Sequence, residues 1–159
     1  MLARFHPTAK GVSRSPLLKL RTGQRLVINL ITYAAYSYQM DYQHIQQRIM
    51  NLDPNIRLVT ICDMNGNIKF SDHREGVKNL LSPEESKKSL EMGINAWKER
   101  SKLAPKIGKG KYVLAEYEKV KRITMPLGEE HLLYITTEPA ADHSRIINGA
   151  RQMAVEARP

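Results

Sequence analysis

The sequence contains a single cysteine, Cys62, so no disulfide can form within the chain. It has neither a CxxC pair nor an HExxH motif, so the common zinc-binding motifs are absent from the sequence. The apolar stretch at residues 26–38 falls short of the roughly 17–25 residues that a membrane-spanning helix needs, so no membrane span is expected. Cys62 lies in an apolar run and is expected to be a small buried core residue. With 42% apolar and 26% charged residues, the composition predicts an ordinary soluble, cytoplasmic protein.

Acidic residues are absent from the first 39 residues, which carry six basic ones. Residues 40–159 carry 19 basic and 16 acidic residues, so they contribute only +3 to the formal net charge of +9. This near balance weakens the electrostatic case for nucleic-acid binding. The change of composition at Met40 predicts two parts, a basic N-terminal extension over residues 1–39 and a single α/β domain over residues 40–159.

Three interpretations of residues 1–39 stay open. A basic stretch before a short apolar run is compatible with an export signal, although Asn29 interrupts the run. Alternatively, apolar residues spaced three and four apart from Ile28 onward extend the next helix upstream along one face. The third hypothesis is that the natural product starts at Met40, which leaves residues 1–39 without a selected role. The intact mass of the native protein tests it, because a species that contains Met1 would refute it.

Two sequence runs are apolar on both faces and predict central strands. The first spans residues 56–62 and is rich in β-branched residues, and the second spans residues 132–136. Asn65-Gly66 follows the first run and predicts a hairpin with a type I′ turn, in which both central residues have positive φ. Residues 68–71 alternate inward and outward, as an edge strand does.

Three helices are predicted around these strands. Apolar residues three and four apart give an amphipathic helix over residues 41–51. Residues 82–85 (SPEE) form a capping box, with a proline at the first helical position, for a second helix that ends before Ala104. Trp97 falls on the apolar stripe of this helix and is predicted to be a core residue. A closing helix is predicted to begin near residue 138 and to end near residue 155.

The remaining strands complete one sheet. Runs 112–117 and 120–125 alternate with charged residues, which predicts one-sided, peripheral strands after a loop at residues 106–111. The order is α-β-β-α-β-β-β-α. If the two double-sided runs lie side by side in the centre, the fold is α+β, with flanking helices and a five-stranded antiparallel sheet of order 2-1-5-4-3.

Residues 41–155 resemble a family of small uncharacterised archaeal proteins, through CDMNGNI at 62–68, YVLAEY at 112–117 and LLYITTEP at 132–139. More distantly, the element order resembles the roadblock and profilin-like group, and the first hairpin resembles those of PAS and Cache sensor domains. The archaeal resemblance implies no activity. The roadblock resemblance implies a homodimeric scaffold or a regulator of a small GTPase.

Two groups of polar residues are candidate sites. The segment Asp72–Glu75 has, together with His131 and Asp142-His143, the residue types of a metal or acid–base site, although a solvated loop explains them as well. The basic region 108–122 combines glycines, which admit backbone N–H groups to a phosphate, with lysines that add charge, but it lacks the P-loop pattern. The candidate ligand or phosphate contacts from both groups are His73, Arg74, Lys109, Lys111, Lys121 and Arg122.

No motif in the sequence requires catalysis, and no catalytic residue, metal ligand or cofactor is predicted. The favoured function is a non-catalytic regulatory, ligand-sensing or protein-interaction module that dimerises through the sheet edge or the second helix. Its partner is a second copy or another protein, with a small GTPase named by resemblance only. One alternative is a nucleic-acid or nucleotide-binding protein that uses residues 108–122. Another is a small enzyme with a site around Asp72–Glu75.

Overall fold

The computed structural model describes residues 40–156 of the chain. The helices and strands follow the predicted order, with one short helix added. The helices are α1 (Tyr42–Met50), α2 (Pro83–Ser101), α3 (Ala104–Ile107) and α4 (His143–Glu156), and the strands are β1 (Ile56–Asp63), β2 (Ile68–His73), β3 (Val113–Glu116), β4 (Lys121–Leu127) and β5 (His131–Thr137). The export signal, the upstream helix extension and the start at Met40 concern residues outside the described range.

The five strands form one antiparallel sheet of order β2-β1-β5-β4-β3, as predicted. β1 pairs with β5 along its length, from Ile56 opposite Thr137 to Asp63 opposite His131. The two runs that are apolar on both faces therefore lie side by side in the centre, where helices cover both faces of the sheet. An apolar side chain on either face of these strands is thus removed from water.

The main core lies between the sheet and the pair α1 and α4. Side chains from alternate positions of the central strands pack there against apolar side chains of both helices; the buried members include Ile45, Ile49, Val59, Ile61, Ile123, Leu133, Ile135, Ile146 and Ala150. Full burial of one such side chain stabilises the fold by about 1.5–3 kcal/mol. This face therefore holds the larger share of the hydrophobic stabilisation.

Helix α2 covers the opposite face through a smaller cluster, which comprises Cys62, Leu90, Ile94, Trp97 and Leu132. Trp97 is 7% exposed and Cys62 is fully buried, so both are core residues, as predicted. Burial also raises the pKa of the Cys62 thiol to about 11, which keeps the thiol protonated near neutral pH. The helix begins with the predicted capping box between Ser82 and Glu85.

The first hairpin forms as predicted, but its turn type was predicted wrongly. Among the described residues only glycines have positive φ, so Asn65 does not adopt the conformation that a type I′ turn requires. Instead, Gly66 N donates to Asp63 O, and Gly66 takes φ +91°, which gives a three-residue loop ending in a glycine. The carboxylate of Asp63 accepts from the backbone N of Asn65 and of Asn67 and from the Asn67 side chain, and these bonds select this loop.

Three local predictions differ from the structure. Helix α4 begins at His143 rather than near residue 138, because the side chain of Asp142 caps it by accepting from Arg145 N. Residues 104–107, half of them predicted as loop, form the short helix α3, in which a proline occupies the first turn. Strand β4 is more buried than a peripheral strand, because β5 and β3 flank it and Ile123 and Met125 face the main core.

Candidate functional site

The six candidate contact residues do not form one cluster. They lie at the end of β2, in the loop before β3 and at the start of β4; the residues are His73, Arg74, Lys109, Lys111, Lys121 and Arg122. Each position has a different environment.

His73 and His131, two histidines of the predicted acid–base group, lie far apart. His73 pairs with Leu58 near the start of β1, whereas His131 pairs with Asp63 at the end of the same strand. Five residues of strand separate these rows, which is about 16 Å at 3.3 Å per residue. Within the part of the chain that the structure describes, no group of three His, Cys, Asp or Glu side chains could hold a metal ion. The described geometry thus assembles no metal centre from these residues.

Arg74 has a structural environment. Its guanidinium donates to three backbone carbonyl oxygens, those of Met50, Asp53 and Ile56, at 2.8–3.0 Å. These bonds join the segment after β2 to the connection between α1 and β1. A buried carbonyl group that loses its hydrogen-bond partner costs about 1–3 kcal/mol. The guanidinium of Arg74 therefore stabilises the fold through these bonds.

Lys121 and Arg122 point to opposite faces of the sheet, because successive strand residues alternate. Lys121 lies on the α4 side and is 8% exposed. Its Nζ is 3.4 Å from the carbonyl oxygen of Ala141 and 3.5 Å from Nδ1 of His143. The basic region 108–122 therefore does not present these two cations on one surface.

Arg122 lies on the α2 side, in an aromatic and polar setting. Its guanidinium carbon is 5.5 Å from the ring centre of Tyr117 and 5.9 Å from that of Tyr134, within cation–π range. It donates to the hydroxyl of Ser89 on α2. Its Nε is buried without a hydrogen-bond partner. No carboxylate in the described residues lies within ion-pair distance of this guanidinium.

Arg122 and Arg57 line one small cavity of about 60 Å³ between the sheet and the segment that precedes α2. Arg57 is already engaged, since it forms an ion pair with Glu138 and donates to the carbonyl oxygen of Lys78 at 2.8 Å. Asn79 and Ser86 also line this cavity, beside apolar residues such as Leu58 and Leu81. Sequence reasoning missed Arg57, although an arginine within an otherwise apolar central strand is a signal that could have found it.

Lys109 and Lys111 line a second, larger cavity of about 730 Å³, together with Trp97 and Arg151. Lys109 Nζ is 3.8 Å from a carboxylate oxygen of Glu129, and both side chains are almost fully exposed. A surface ion pair of this kind contributes little to stability. The cavity thus brings the two predicted lysines together with Arg151 of α4, which the sequence pattern did not connect to them.

The outer edge of the sheet at β3 is the other candidate surface. Within residues 40–156, β3 has one neighbouring strand, β4, so its outer backbone groups have no strand to pair with. Tyr112 and Tyr117, on either side of β3, are 45% and 53% exposed. The opposite edge, β2, carries charged side chains such as Lys69 and Asp72, and a bulge interrupts its pairing with β1. Charged side chains and bulges discourage edge-to-edge pairing, so β3 is the edge better suited to pair with a strand of another chain.

Solved structures with the same architecture are known. The roadblock/LC7 domain from Streptomyces avermitilis is 11% identical and aligns with a TM-score of 0.59 over 74% of this chain and 94% of that one. The gliding protein MglB from Thermus thermophilus is 13% identical, with a TM-score of 0.60 over 72% and 82% of the two chains. For MglC from Myxococcus xanthus the values are 10%, 0.53, 74% and 97%.

This chain has the roadblock/LC7 fold. At 9–15% identity the likeness establishes the fold alone. No family model and no curated protein matches the sequence, so the archaeal and PAS/Cache resemblances receive no support from these comparisons. In the described residues no helix is both long enough and apolar enough to cross a membrane.

Proposed function

We propose that this roadblock-fold chain is a non-catalytic interaction module that forms a homodimer and regulates a partner protein in the cytoplasm. The observation that carries the proposal is the unpaired, tyrosine-flanked edge of β3. A second support is the fold itself, since one similar structure is described as MglB with a tetrameric arrangement. That structure is 14% identical and aligns with a TM-score of 0.55 over 72% of this chain and 88% of that one.

The backbone geometry of β3 favours pairing with a second strand. Tyr117 N donates to Val120 O, and antiparallel ladders alternate between bonded and non-bonded pairs. The N–H and C=O groups of Leu114 and Glu116 are therefore directed away from β4, toward the open edge. A second copy that pairs there in antiparallel fashion would satisfy these groups and extend the sheet across the two chains.

Helix α2 would contribute the rest of the dimer surface. Met92 lies on its outer side and is 64% exposed, whereas Leu90 and Ile94 face the sheet. A stable interface buries about 800 Å² per partner, which is more than one short strand supplies. The sheet edge and the outer side of α2 together form the interface that the proposal requires.

Replacement of Glu116 by proline tests the dimer. The N–H group of Glu116 makes no bond to β4, so E116P removes an edge donor while leaving the ladder with β4 intact. Wild-type protein is expected to sediment at twice the chain mass, and E116P is expected to weaken the association by about tenfold or more. E116A is the matched control, because it loses the same side-chain contact with Lys121, 3.7 Å, but keeps the N–H group.

Two results would contradict the dimer proposal. A wild-type protein that sediments as a single chain at every accessible concentration would remove it. Equal dissociation of the E116P and E116A variants would show that the edge backbone is not involved.

The proposal extends to a small GTPase as the regulated partner, on the strength of the roadblock resemblance. Purification of the native protein under mild conditions, followed by mass spectrometry of retained proteins, tests this extension. A retained nucleotide-binding protein of the small GTPase class is the expected result. Retention of a second copy alone would support the dimer and contradict the proposal of a GTPase partner.

A further inference from the structure

Arg122 is a half-buried cation that the described residues do not neutralise. Its contacts are the rings of Tyr117 and Tyr134 and the hydroxyl of Ser89, all of which are uncharged. Its Nε has no hydrogen-bond partner although it is buried. Buried polar groups are nearly always paired, so an unpaired guanidinium nitrogen calls for a specific explanation.

The energetics favour an anion beside this side chain. Partial removal of a guanidinium from water costs free energy unless a counter-charge or hydrogen bonds replace the lost hydration. The faces of two tyrosine rings and one hydroxyl group replace part of the lost hydration, because a guanidinium is attracted to an aromatic face. A carboxylate would replace the remainder, but none in the described residues lies within ion-pair distance of Arg122.

The small cavity beside Arg122 has the size and the lining for such an anion. Its volume of about 60 Å³ accommodates a few water molecules or one small oxyanion. Arg57, Asn79 and Ser86 provide further hydrogen-bond donors at its wall. Because Glu138 already neutralises Arg57, the uncompensated charge at this cavity is that of Arg122.

We propose that this cavity binds a phosphoryl group, held by the guanidinium of Arg122, with Arg57, Ser86 and Asn79 as further donors. The two terminal nitrogens of a guanidinium can donate parallel hydrogen bonds to a tetrahedral oxyanion, which a lysine ammonium cannot reproduce. The site lies within one chain and goes beyond the proposed dimer, although Tyr117 belongs both to the β3 edge and to the surroundings of Arg122. Of the basic residues singled out in the sequence, Arg122 is then the one that contacts the ligand.

Calorimetric titration of the full chain at constant ionic strength tests the site. The probes are inorganic phosphate and O-phosphoserine, with acetate as the control anion of different shape. Saturable binding of inorganic phosphate is expected, with acetate weaker. Binding of both phosphate probes would identify a site that admits phosphomonoesters, and binding of inorganic phosphate alone would identify a site for the free ion.

Two variants with the same charge change separate a built site from general electrostatic attraction. R122Q is expected to weaken phosphate binding by about tenfold or more. R145Q removes an exposed cation on the opposite side of the sheet and is expected to change the affinity by less than about twofold. R122K keeps the charge without the planar fork and is expected to be intermediate. Circular dichroism verifies that each variant is folded.

Absence of saturable phosphate binding by the wild-type protein would overturn the proposal, whatever the variants do. Equal losses in R122Q and R145Q would also overturn it, because they would indicate diffuse attraction alone. Sedimentation of R122Q distinguishes the phosphoryl site from the dimer. A chain that stays dimeric while losing phosphate binding supports this site, and phosphate binding by a strictly monomeric wild-type protein contradicts only the dimer.

Discussion

His131, at the start of β5, is a partly buried histidine with a defined neighbour. Its Nε2 is 3.0 Å from the hydroxyl oxygen of Tyr42 on α1, and the two rings are tilted with centres 5.3 Å apart. Burial lowers the pKa of His131 below its usual value of 6.5, and Lys69 lowers it further, while Glu130 and Asp63 act in the opposite direction. The folded state thus favours the neutral ring, which links stability to pH.

We predict that this histidine makes the protein less stable in mild acid. Because the folded state has the lower pKa, the unfolded state binds more protons once the pH falls below about 6.5. The free energy of unfolding therefore decreases from about pH 6.5 down to the pKa of the folded state, below which this contribution is constant. Urea unfolding of the wild type and of H131Q at about pH 7.5 and 5.5 measures this change in the free energy of unfolding.

H131Q is expected to reduce the difference in unfolding free energy between the two pH values, whereas H44Q, at an exposed position of α1, should preserve it. If H131Q retains the whole pH dependence, then His131 is not its source.

Between elements, α4 approaches the end of α1 through a glycine. A Cβ placed on Gly149 would lie 2.5 Å from Cδ2 of Leu52 and 3.0 Å from its Cδ1, closer than side chains tolerate. Glycine lowers helix stability by about 1 kcal/mol relative to alanine, so its presence inside α4 has a local cost. The close packing against Leu52 offsets that cost, because the absence of a side chain at Gly149 lets α4 pack closely against the main core.

G149A is predicted to destabilise the protein even though alanine is the better helix former. Displacement of Leu52 costs about 1–3 kcal/mol, and the gain in helix propensity recovers about 1 kcal/mol, which leaves a net loss of up to about 2 kcal/mol. N148A, at the exposed neighbouring position, is the control and should be neutral or slightly stabilising. The midpoint of urea unfolding measures both variants. A G149A protein as stable as N148A would mean that Leu52 repacks without cost.

At the scale of the whole molecule, one central sheet connects two cores of unequal size. Among the described residues, the buried members of the larger core, against α1 and α4, and of the smaller one, against α2, lie from position 45 onward. The unit that spans Met40–Pro159 also has its own network of internal contacts. This unit thus contains both of these cores.

We predict that a chain starting at Met40 folds independently. Circular dichroism should give mixed helix and sheet signals, and urea should unfold the shortened chain in one cooperative transition, because small single domains usually unfold in two states. The full-length chain under the same conditions is the comparison. A shortened chain that lacks a cooperative transition would contradict the predicted division of the sequence at Met40.

Much of the architecture followed from local patterns. Runs apolar on both faces can lie only where both faces are covered, so 56–62 and 132–136 identified the centre of the sheet and thereby its order. The capping box at residues 82–85 gave the start of α2. The turn type at Asn65-Gly66 could not be predicted as easily, because the side chain of Asp63 competes with the intrinsic preference of the Asn-Gly pair.

The sequence by itself determined the order of the elements, the two central strands and the burial of Cys62 and Trp97, since these depend on periodicity and on hydrophobicity along the chain. Only the tertiary structure decided the roles of the charged residues. Lys121 and Arg122 are neighbours in sequence, yet the alternation of the strand and the helix on each face give them opposite surroundings. Whether a cation is free or occupied depends on which distant groups pack beside it, and a linear pattern does not contain that information.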